Sequence, residues 1–351
     1  MTPSAVRWPA EWERHDATWI AWPHYEPDWP GHFEPVPLVY AEIVHALHTH
    51  ERVEILCNDE TVRADAARIL AARGVDSSTY RLRLCPTDRV WLRDSAPTAV
   101  QNSDGAVELV AWGFNAWAKY ANFSADARIG TEIARLTGLP LREPQRPDGN
   151  GRVILEGGGI ETDGAGTMLV TEEWLLSDSQ IRNPGLGRAD YEHIFADQLG
   201  IKKTIWLGEG CVGDDTHGHI DDVARFVARG TVVLAHEEDP ADENHRRSLD
   251  NLKRLERATD SRGKKLRVVT LPYPGAVITE GQRLPASYAN FYIANGVVIV
   301  PTFGDPNDRV ALTTLVSLFP DREVVGIQCR DLVWGLGTLH CLTQQQAAAI
   351  G

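Results

Sequence analysis

The stretch GHIDDVARFVARGTVVLA, residues 218–235, joins a polar head to two short apolar runs that meet at a glycine turn. Short apolar runs bounded by Gly, Asn or Asp are typical of β-strands. Related segments recur along the chain: RDSAPTAV (93–100), EGGGIETDGAGTMLV (156–170), ASYANFYIANGVVIVP (286–301) and LHCLTQ (339–344). Each carries a polar residue followed by a strand, so the sequence predicts a repeated unit.

The polar heads of these five segments lie roughly 50 to 70 residues apart, a spacing suited to a radial or solenoid array. They are Asp94, Glu156, Asp221, Asn290 and Cys341. Five units arranged about an axis would bring these side chains together at the centre, although they are scattered in sequence. An ordinary large α/β protein also supplies strands every few dozen residues, and the pattern alone leaves both interpretations open.

The chain as a whole alternates predicted strands with predicted helices. Apolar, β-branched runs predict strands at 53–57, 107–112, 153–155, 168–171, 204–207, 232–235, 266–271, 297–301 and 324–328. Helical periodicity predicts helices at 38–49, 61–73, 125–137, 189–199, 244–258 and 308–319. No low-complexity linker or charge block divides the sequence, and a Pro/Gly/Asn stretch at 142–152 is predicted to be a surface loop. We therefore expect one α/β domain over residues 1–351.

The composition is typical of a soluble globular protein, with 43% hydrophobic and 24% charged residues. A formal net charge of -14 predicts repulsion from nucleic acid and tolerance of a small cation, although many acidic proteins simply stay soluble. Five widely spaced cysteines without a CxxC pair predict neither a disulfide framework nor a zinc knuckle. Since the N-terminus shows neither a signal-peptide pattern nor an apolar run of about 18 residues, we expect no membrane association and a cytoplasmic location.

Cys341, close to the C-terminal end of the sequence, is the first candidate for chemistry. A lone cysteine is more often a small buried apolar residue than a nucleophile. Here Gly335 and Gly337 allow tight turns beside the thiol, and His340 gives it a polar neighbour. Because the thiolate is the reactive form, this cysteine needs an electropositive partner, either from the protein or from a cationic substrate.

The segment GDDTHGHIDD (213–222) supplies a candidate acid/base. His219 and Asp221 are two residues apart, so on a strand they would share a face. A histidine beside a carboxylate is a natural general acid/base. Two alternatives remain: a solvated polar turn, since Asp and Gly form turns, and a metal site on His217, His219 and Asp221, since His-x-His-x-Asp also binds zinc or iron.

Two further segments add carboxylates. In ILEGGGIETDGAGT, Glu156 precedes three glycines that would let the backbone pass close to a ligand or to another strand. The run DRVWLRDSAP holds Asp88, Trp91 and Asp94. A guanidinium is planar and permanently charged, so carboxylates are its natural partners. Carboxylates in a closed cavity repel one another unless a cation lies between them, and the same cation would stabilise a nearby thiolate. One guanidine substrate would therefore account for all these residues.

The chain also resembles a known family from about residue 8 to residue 345. In order it carries PAEWERHDATWIAWPH, WLRDSAP, WGFNAW, LEGGGIETDGAGT, RNPGLGRADYE, THGHIDD, FYIANGVVIVPTFGD and LHCLTQQ, which are similar to motifs of the agmatine deiminase branch of the bacterial peptidylarginine-deiminase-like proteins. The resemblance implies a pentein fold, a fivefold pseudo-symmetric α/β propeller of ββαβ units with the active site on its axis. It also implies hydrolysis of agmatine to N-carbamoylputrescine and ammonia without a metal or other cofactor.

Matched motif by motif, the resemblance assigns catalytic roles to five residues. Cys341 corresponds to the nucleophile and His219 to the general acid/base. Glu156 matches the glutamate that orients the histidine, while Asp94 and Asp221 match the aspartates that grip the guanidinium nitrogens. The implied mechanism is attack of the thiolate on the guanidinium carbon, loss of ammonia protonated by the histidine, and hydrolysis of a covalent thiouronium intermediate by water that the histidine activates.

The sequence departs from the family pattern at two places. GLGTLHC replaces the more usual GGGNIHC, with Leu336 and Thr338 at the changed positions, and WGFNAWAKYANF, with Lys119 and Tyr120, replaces WGFNAWGG. These changes leave the chemistry intact but leave the substrate tail open, so arginine, peptidyl-arginine or another alkylguanidine is the alternative to agmatine. Trp91 is the first choice for a tail contact, because a ring face attracts ammonium groups. The predicted substrate-binding residues are Asp94, Asp221, Trp91, Asp88, Trp117 and Asn290.

Two other classes of function remain open at this point. One is the metal-dependent hydrolase built on His217, His219 and Asp221, and the other is a binding module that holds a guanidine without turnover. We also expect the chain to form a homo-oligomer, a dimer or a tetramer.

Overall fold

Short strands and helices alternate through the fold, and the computed structural model describes residues 6–350. The strands are β1 (His15–Ala21), β2 (Arg52–Cys57), β3 (Tyr80–Leu84), β4 (Thr98–Gln101), β5 (Val107–Val110), β6 (Leu141–Arg142), β7 (Glu161–Thr162), β8 (Thr167–Thr171), β9 (Lys203–Leu207), β10 (Ala224–Ala228), β11 (Thr231–His236), β12 (Arg267–Pro272), β13 (Ile278–Thr279), β14 (Gln282–Arg283), β15 (Tyr292–Ile293), β16 (Val297–Thr302), β17 (Glu323–Gln328) and β18 (Gln344–Ala347). The helices are α1 (Val36–Leu47), α2 (Glu60–Arg73), α3 (Leu92–Ser95), α4 (Ile129–Thr137), α5 (Glu172–Leu176), α6 (Arg188–Leu199), α7 (Glu243–Arg257), α8 (Asn307–Leu318) and α9 (Leu339–Leu342). Within residues 6–350, none of the helices combines the length and apolar character that crossing a bilayer requires.

Five sheets share one pairing pattern. In the sheets β4-β5-β6, β7-β8-β9, β10-β11-β12 and β15-β16-β17, the first strand runs antiparallel to the second, and the second runs parallel to the third. The fifth sheet, β18-β1-β2-β3, begins with the same antiparallel and parallel pairs, and Trp19 pairs with Gln344. Both ends of the chain therefore contribute to one sheet. The ribbon β13-β14 stands apart from these five.

Local sequence explains why these elements begin and end where they do. The middle strands are β-branched and buried, as in the VVIVPT of β16, because a parallel strand covered on both faces needs apolar side chains throughout. Helix α2 begins after Asp59, whose carboxylate accepts the Val62 N–H, and ends at Gly74 in the left-handed region. A helix thus crosses from the middle strand to the parallel third strand in most units.

Each predicted polar head lies at a turn just before the first strand of a sheet. Asp94 lies in α3 before β4, and Cys341 lies in α9 before β18. Glu156 immediately precedes the 3₁₀ turn before β7, Asp221 lies in the 3₁₀ turn before β10, and Asn290 lies two residues before the start of β15. The predicted order of head and strand is confirmed in all five segments.

The predicted strand at 153–155 is wrong. Ile154 forms only an isolated bridge with Gly113, and its own backbone N–H and C=O are bound by the side-chain amide of Asn183. These bonds satisfy the backbone without a sheet partner, so the apolar run remains an extended loop. The other predicted strands and helices are confirmed to within a few residues, except that 125–137 divides into a 3₁₀ turn and α4.

The three glycines after Glu156 let chain segments approach as the sequence predicts. A Cβ on Gly157 would lie 2.2 Å from the carbonyl oxygen of Arg93, and a Cβ on Gly159 would lie 2.4 Å from the Trp174 ring. Neither space admits a side chain. This close packing brings the segment around Glu156 against the turn that carries Asp94.

Candidate active site

The sulfur of Cys341 lies in a buried polar setting made by two other units. Its Sγ is 3.5 Å from Asp221 Oδ2 and 3.2 Å from the Asn290 side-chain nitrogen. Cys341 is 8% exposed and both partners are fully buried. Segments 120 and 51 residues away in sequence therefore meet at this thiol.

The imidazole of His219 lies between two carboxylates. Its Nδ1 is 3.7 Å from Asp94 Oδ1 and its Nε2 is 3.5 Å from Glu156 Oε2. Burial by itself lowers the pKa of His219, but the two carboxylates outweigh it and raise the pKa to about 9. The ring is therefore protonated at neutral pH and can donate a proton to a leaving group.

Gly158 lets the backbone pack closely against these groups. A Cβ at this position would lie 2.7 Å from His219 Nδ1, 2.8 Å from Asp94 Oδ1 and 3.2 Å from Asp221 Oδ2. The second oxygen of Asp221, Oδ1, is buried and accepts no hydrogen bond from any of residues 6–350. A buried carboxylate oxygen without a donor is unfavourable. The site therefore offers a carboxylate oxygen available to a hydrogen-bond donor, in surroundings that only glycine can approach so closely.

Glu156 is held as a charged group beneath His219. Arg182 Nε donates to its Oε1 at 3.0 Å, and the indole nitrogen of Trp174 donates to its Oε2 at 2.8 Å. Burial raises the pKa of a carboxyl group, but Arg182 and His219 outweigh that effect and lower the pKa of Glu156 to about 2. Glu156 consequently orients the imidazole and favours its protonated form.

Two aspartates of the site, Asp94 and Asp221, have pKa values shifted in opposite directions. Burial raises the pKa of Asp94 to about 6, partly opposed by His219. Burial acts in the same direction on Asp221, but a hydrogen bond with His340 outweighs it and lowers the pKa of Asp221. Burial and the neighbouring Asp221 raise the pKa of Asp222 well above its usual range. Asp94 and Asp221 are thus the anionic pair, whereas the surroundings of Asp222 disfavour its charged form.

The surroundings of the Cys341 thiol disfavour its anionic form. Burial, followed by the charges of Asp221, Asp222 and Asp94, raises its pKa well above the usual range. A cation placed among the carboxylates would reverse the electrostatic part of this effect. A positively charged ligand such as a guanidinium would therefore favour the thiolate.

Sequence reasoning missed the network that supports Asp221. The ring of His340 lies 2.8 Å from Asp221 Oδ2 through Nδ1 and 2.9 Å from Glu11 Oε2 through Nε2. Glu11 also pairs with Arg225 at 2.7 Å and Arg93 at 3.2 Å, and all five side chains are buried. The only sequence signal was the presence of Glu11 in the N-terminal run PAEWERHD, which did not reveal its partners.

A cavity of about 570 Å³, partly open to solvent, includes Asp94 in its wall. Aromatic rings form much of the wall: Tyr25, Trp91, Trp117, Tyr120 and Trp334. Gly337 lets Trp91 pack close to the nucleophile, because a Cβ there would lie 2.7 Å from the Trp91 ring and 3.1 Å from Cys341 Cβ. Trp117 donates from its indole nitrogen to Asp94 Oδ2 at 2.9 Å. Trp91 and Trp117 thus line the cavity together with Asp94, and their role in substrate binding stays a prediction.

The structure gives Asp88 and Asn290 other contacts. Asp88 is not part of the cavity wall; its Oδ2 accepts the backbone N–H groups of Ala125 at 2.6 Å and Asp126 at 3.3 Å. Asn290 donates to the Cys341 sulfur, while its Oδ1 accepts the Thr338 hydroxyl at 2.8 Å. Asp88 therefore pins a loop, and Asn290 positions the nucleophile.

The alternative metal ligands His217, His219 and Asp221 do not come together. Within residues 6–350, the one group of side chains close enough to share an ion is Asp221, Asp222 and Cys341. His217 instead lies 4.0 Å from Glu173. Asp221, Asp222 and Cys341 belong to the site described above, where the acceptor oxygens also suit a guanidinium.

The chain is similar to known proteins over nearly its whole length. A family model described as Porphyromonas-type peptidyl-arginine deiminase matches residues 7–347. The chain is 36% identical to an agmatine deiminase of Pseudomonas aeruginosa, over 99% of this chain and 97% of that relative.

Two solved structures are similar over almost the whole chain. The agmatine deiminase of Enterococcus faecalis superposes with a TM-score of 0.90 at 30% identity, covering 100% of this chain and 99% of that one. A cysteine-to-serine variant of C. jejuni agmatine deiminase with substrate bound superposes with a TM-score of 0.85 at 25% identity, covering 99% and 97%. With a family match over nearly all of its length, the chain belongs to the Porphyromonas-type peptidyl-arginine deiminase family.

Proposed function

We propose that this chain is an agmatine deiminase, which converts the guanidinium of agmatine to the urea of N-carbamoylputrescine and releases ammonia. The observation that carries the proposal is the convergence of His219, Asp94 and Asp221 around Gly158, with the Cys341 sulfur 3.5 Å from Asp221. Similarity to agmatine deiminases over nearly full length supports the choice of substrate.

The guanidinium binds between Asp94 and Asp221. Its N–H groups supply the donors that Asp221 Oδ1 lacks, and its charge offsets the repulsion between the two carboxylates. The same charge lowers the pKa of the Cys341 thiol, whose proton passes to solvent as the substrate binds. Substrate binding therefore creates the nucleophile.

In the first chemical step the thiolate of Cys341 attacks the guanidinium carbon. The bond from that carbon to a terminal nitrogen breaks as His219, protonated near pH 7, donates its proton to the leaving nitrogen. Thiolate, guanidinium and imidazolium thus give a thiouronium cation, ammonia and neutral imidazole. Glu156 keeps the imidazole in place throughout.

In the second step neutral His219 removes a proton from water, and the resulting hydroxide attacks the thiouronium carbon. The hydroxyl proton of the adduct passes to sulfur as the C–S bond breaks. The products are the urea and the thiol, and His219 is again protonated. The proton lost to solvent on substrate binding is taken up by the released ammonia, so charges and atoms balance.

The direct test is to incubate the protein with agmatine, arginine, a peptidyl-arginine and simple alkylguanidines, and to measure ammonia and ureido product for each. We expect agmatine to give stoichiometric N-carbamoylputrescine. Turnover of arginine or peptidyl-arginine in preference to agmatine would refute the substrate, and binding of guanidines without ammonia release would refute catalysis.

The nucleophile and the absence of a metal requirement need separate measurements. We expect Cys341→Ser to bind agmatine without turnover, and wild-type protein quenched during turnover to show the thiouronium mass on the peptide that contains Cys341. Activity should persist in a strong chelator. Loss of activity on chelation that zinc or manganese restores would favour a metal-dependent hydrolase instead.

The wider organisation is part of the same proposal. Five sheets with one pairing pattern, each preceded by a polar head, support a propeller of five units with the site on its axis. We propose that residues 1–351 form this single catalytic domain, which assembles as a dimer or tetramer in the cytoplasm. Light scattering on the purified protein measures the assembly state.

A further inference from the structure

The loop that carries Trp117 has an unusual backbone. Ala116, Trp117 and Ala118 adopt φ values of 49°, 59° and 55°, in the left-handed region that side chains other than glycine rarely occupy. Asn115 accepts the Ala118 N–H at 2.9 Å, and Trp117 donates to Asp94 at 2.9 Å. These bonds hold the loop at the cavity wall despite its strain.

The next two residues of this loop both bind Asp215. Lys119 forms an ion pair with Asp215 Oδ1, and the Tyr120 hydroxyl donates to Oδ2 at 2.6 Å. Gln180 donates to the backbone carbonyls of Trp117 and Asp215, both at 3.0 Å, which fixes the two segments relative to each other. The Asp215 side chain is only 14% exposed, so its charge is poorly screened by solvent and the lysine compensates it.

The remaining charges of the cavity wall are also accounted for. Asp28 pairs with Arg89, and both side chains are buried. Glu280 lies on the exposed β13-β14 turn, where solvent screens its charge. Beyond the guanidinium pocket, Asp215 is thus the acidic group best placed to attract an ammonium inside the cavity, and its partner is already supplied by the chain.

We propose that Lys119 sets the preference for the substrate tail by competing with a terminal ammonium for Asp215. The inference rests on the proposed function, since it concerns the part of the guanidine that lies outside the reacting group. With Lys119 in place, a guanidine with an uncharged tail binds nearly as well as agmatine. The left-handed loop and its two contacts with Asp215 hold the lysine where it competes.

Binding and turnover together test this inference. Agmatine is compared with pentylguanidine, in which a methyl group replaces the terminal ammonium. Dissociation constants are measured by calorimetry in the Cys341→Ser background, and kcat/KM by ammonia release with the nucleophile intact. Lys119→Met removes the charge that pairs with Asp215 at similar side-chain length, and Lys253→Met, at an exposed lysine on α7, is the matched control.

When Lys119 is present, we expect the dissociation constants of the two guanidines to agree within about threefold. Lys119→Met should lower the dissociation constant of agmatine about five- to tenfold and leave that of pentylguanidine unchanged. The same change should appear in KM and leave kcat nearly constant. An equal loss of affinity for both guanidines in Lys119→Met would overturn the inference. So would a strong preference for agmatine with Lys119 present. Ammonia release from neither guanidine would refute the proposed function, while the binding ratio would still decide the role of Lys119.

Discussion

Replacing Glu156 by glutamine removes the charge beneath His219 and preserves the size of the side chain. The two groups are fully buried, and Oε2 lies 3.5 Å from Nε2. At an effective dielectric constant of ~20, the attraction at this distance is about 4 to 5 kcal/mol. Arg182, on the other carboxylate oxygen, cancels part of that attraction. We therefore expect the pKa of His219 to fall from about 9 by about one to two pH units in Glu156→Gln.

The assay is the pH dependence of kcat/KM for agmatine, measured by ammonia release. Protonated His219 donates to the leaving nitrogen, so the basic limb of the profile reports its pKa. That limb should lie near pH 9 in the wild type and move to between about 7 and 8 in Glu156→Gln.

A matched control separates charge from packing. Trp174→Phe removes the indole donor to the same carboxylate, at 2.8 Å, but leaves its charge unchanged. Its basic limb should stay near pH 9 even if its rate falls. If the basic limb stayed near pH 9 in Glu156→Gln, or moved equally far in Trp174→Phe, the charge of Glu156 would not set the pKa of His219.

Three further outcomes follow from the same contacts. Gly158→Ala should lower kcat/KM by at least about 100-fold, because its Cβ would lie 2.7 Å from His219 Nδ1 and displace the imidazole. Gly187→Ala, whose Cβ meets nothing closer than 3.8 Å, is the control. A fully active Gly158→Ala protein would contradict the need for this close packing. Glu11→Gln should lower the free energy of unfolding in urea by about 3 kcal/mol, because Arg225 loses a buried partner; an unchanged urea midpoint would argue against that. Because the pKa of His219 is about 9 when folded and about 6.5 when unfolded, its protonation stabilises the fold fully below pH 6.5, and this contribution is lost as the pH rises through 9. Urea midpoints of His219→Asn should accordingly fall less between pH 7 and 9 than those of the wild type, and parallel curves would refute this assignment.

The polar heads could be predicted because their signal is local. A head followed by an apolar run and a Gly or Asn turn is visible within about 15 residues, and the structure has a turn and a strand at each such place. Convergence then follows if the units repeat about one centre. The sequence therefore predicts that Cys341, Asp221 and Asn290 meet, and the contacts at the thiol confirm it.

The contacts that support the heads could not be predicted in the same way. Glu11 meets His340 across 329 residues, and Lys119 meets Asp215 across 96, and neither pair belongs to a repeated local pattern. Asp88 shows the opposite difficulty. Its closeness to Trp91 in sequence suggested a shared role, but the backbone turns its carboxylate toward the loop at Ala125. Direction within a turn is set by tertiary contacts that a single sequence does not reveal.

Strand β1 was not predicted, for a related reason that also concerns the nucleophile. Its antiparallel partner β18 lies at the other end of the chain and immediately follows the turn that carries Cys341. Glu11, four residues before β1, reaches the His340 ring next to the nucleophile. Closing a loop of this length is entropically costly, so the contact forms only when the rest of the fold holds the two ends together. The thiol is thus placed by the closure of the whole chain, and no single unit contains a working site.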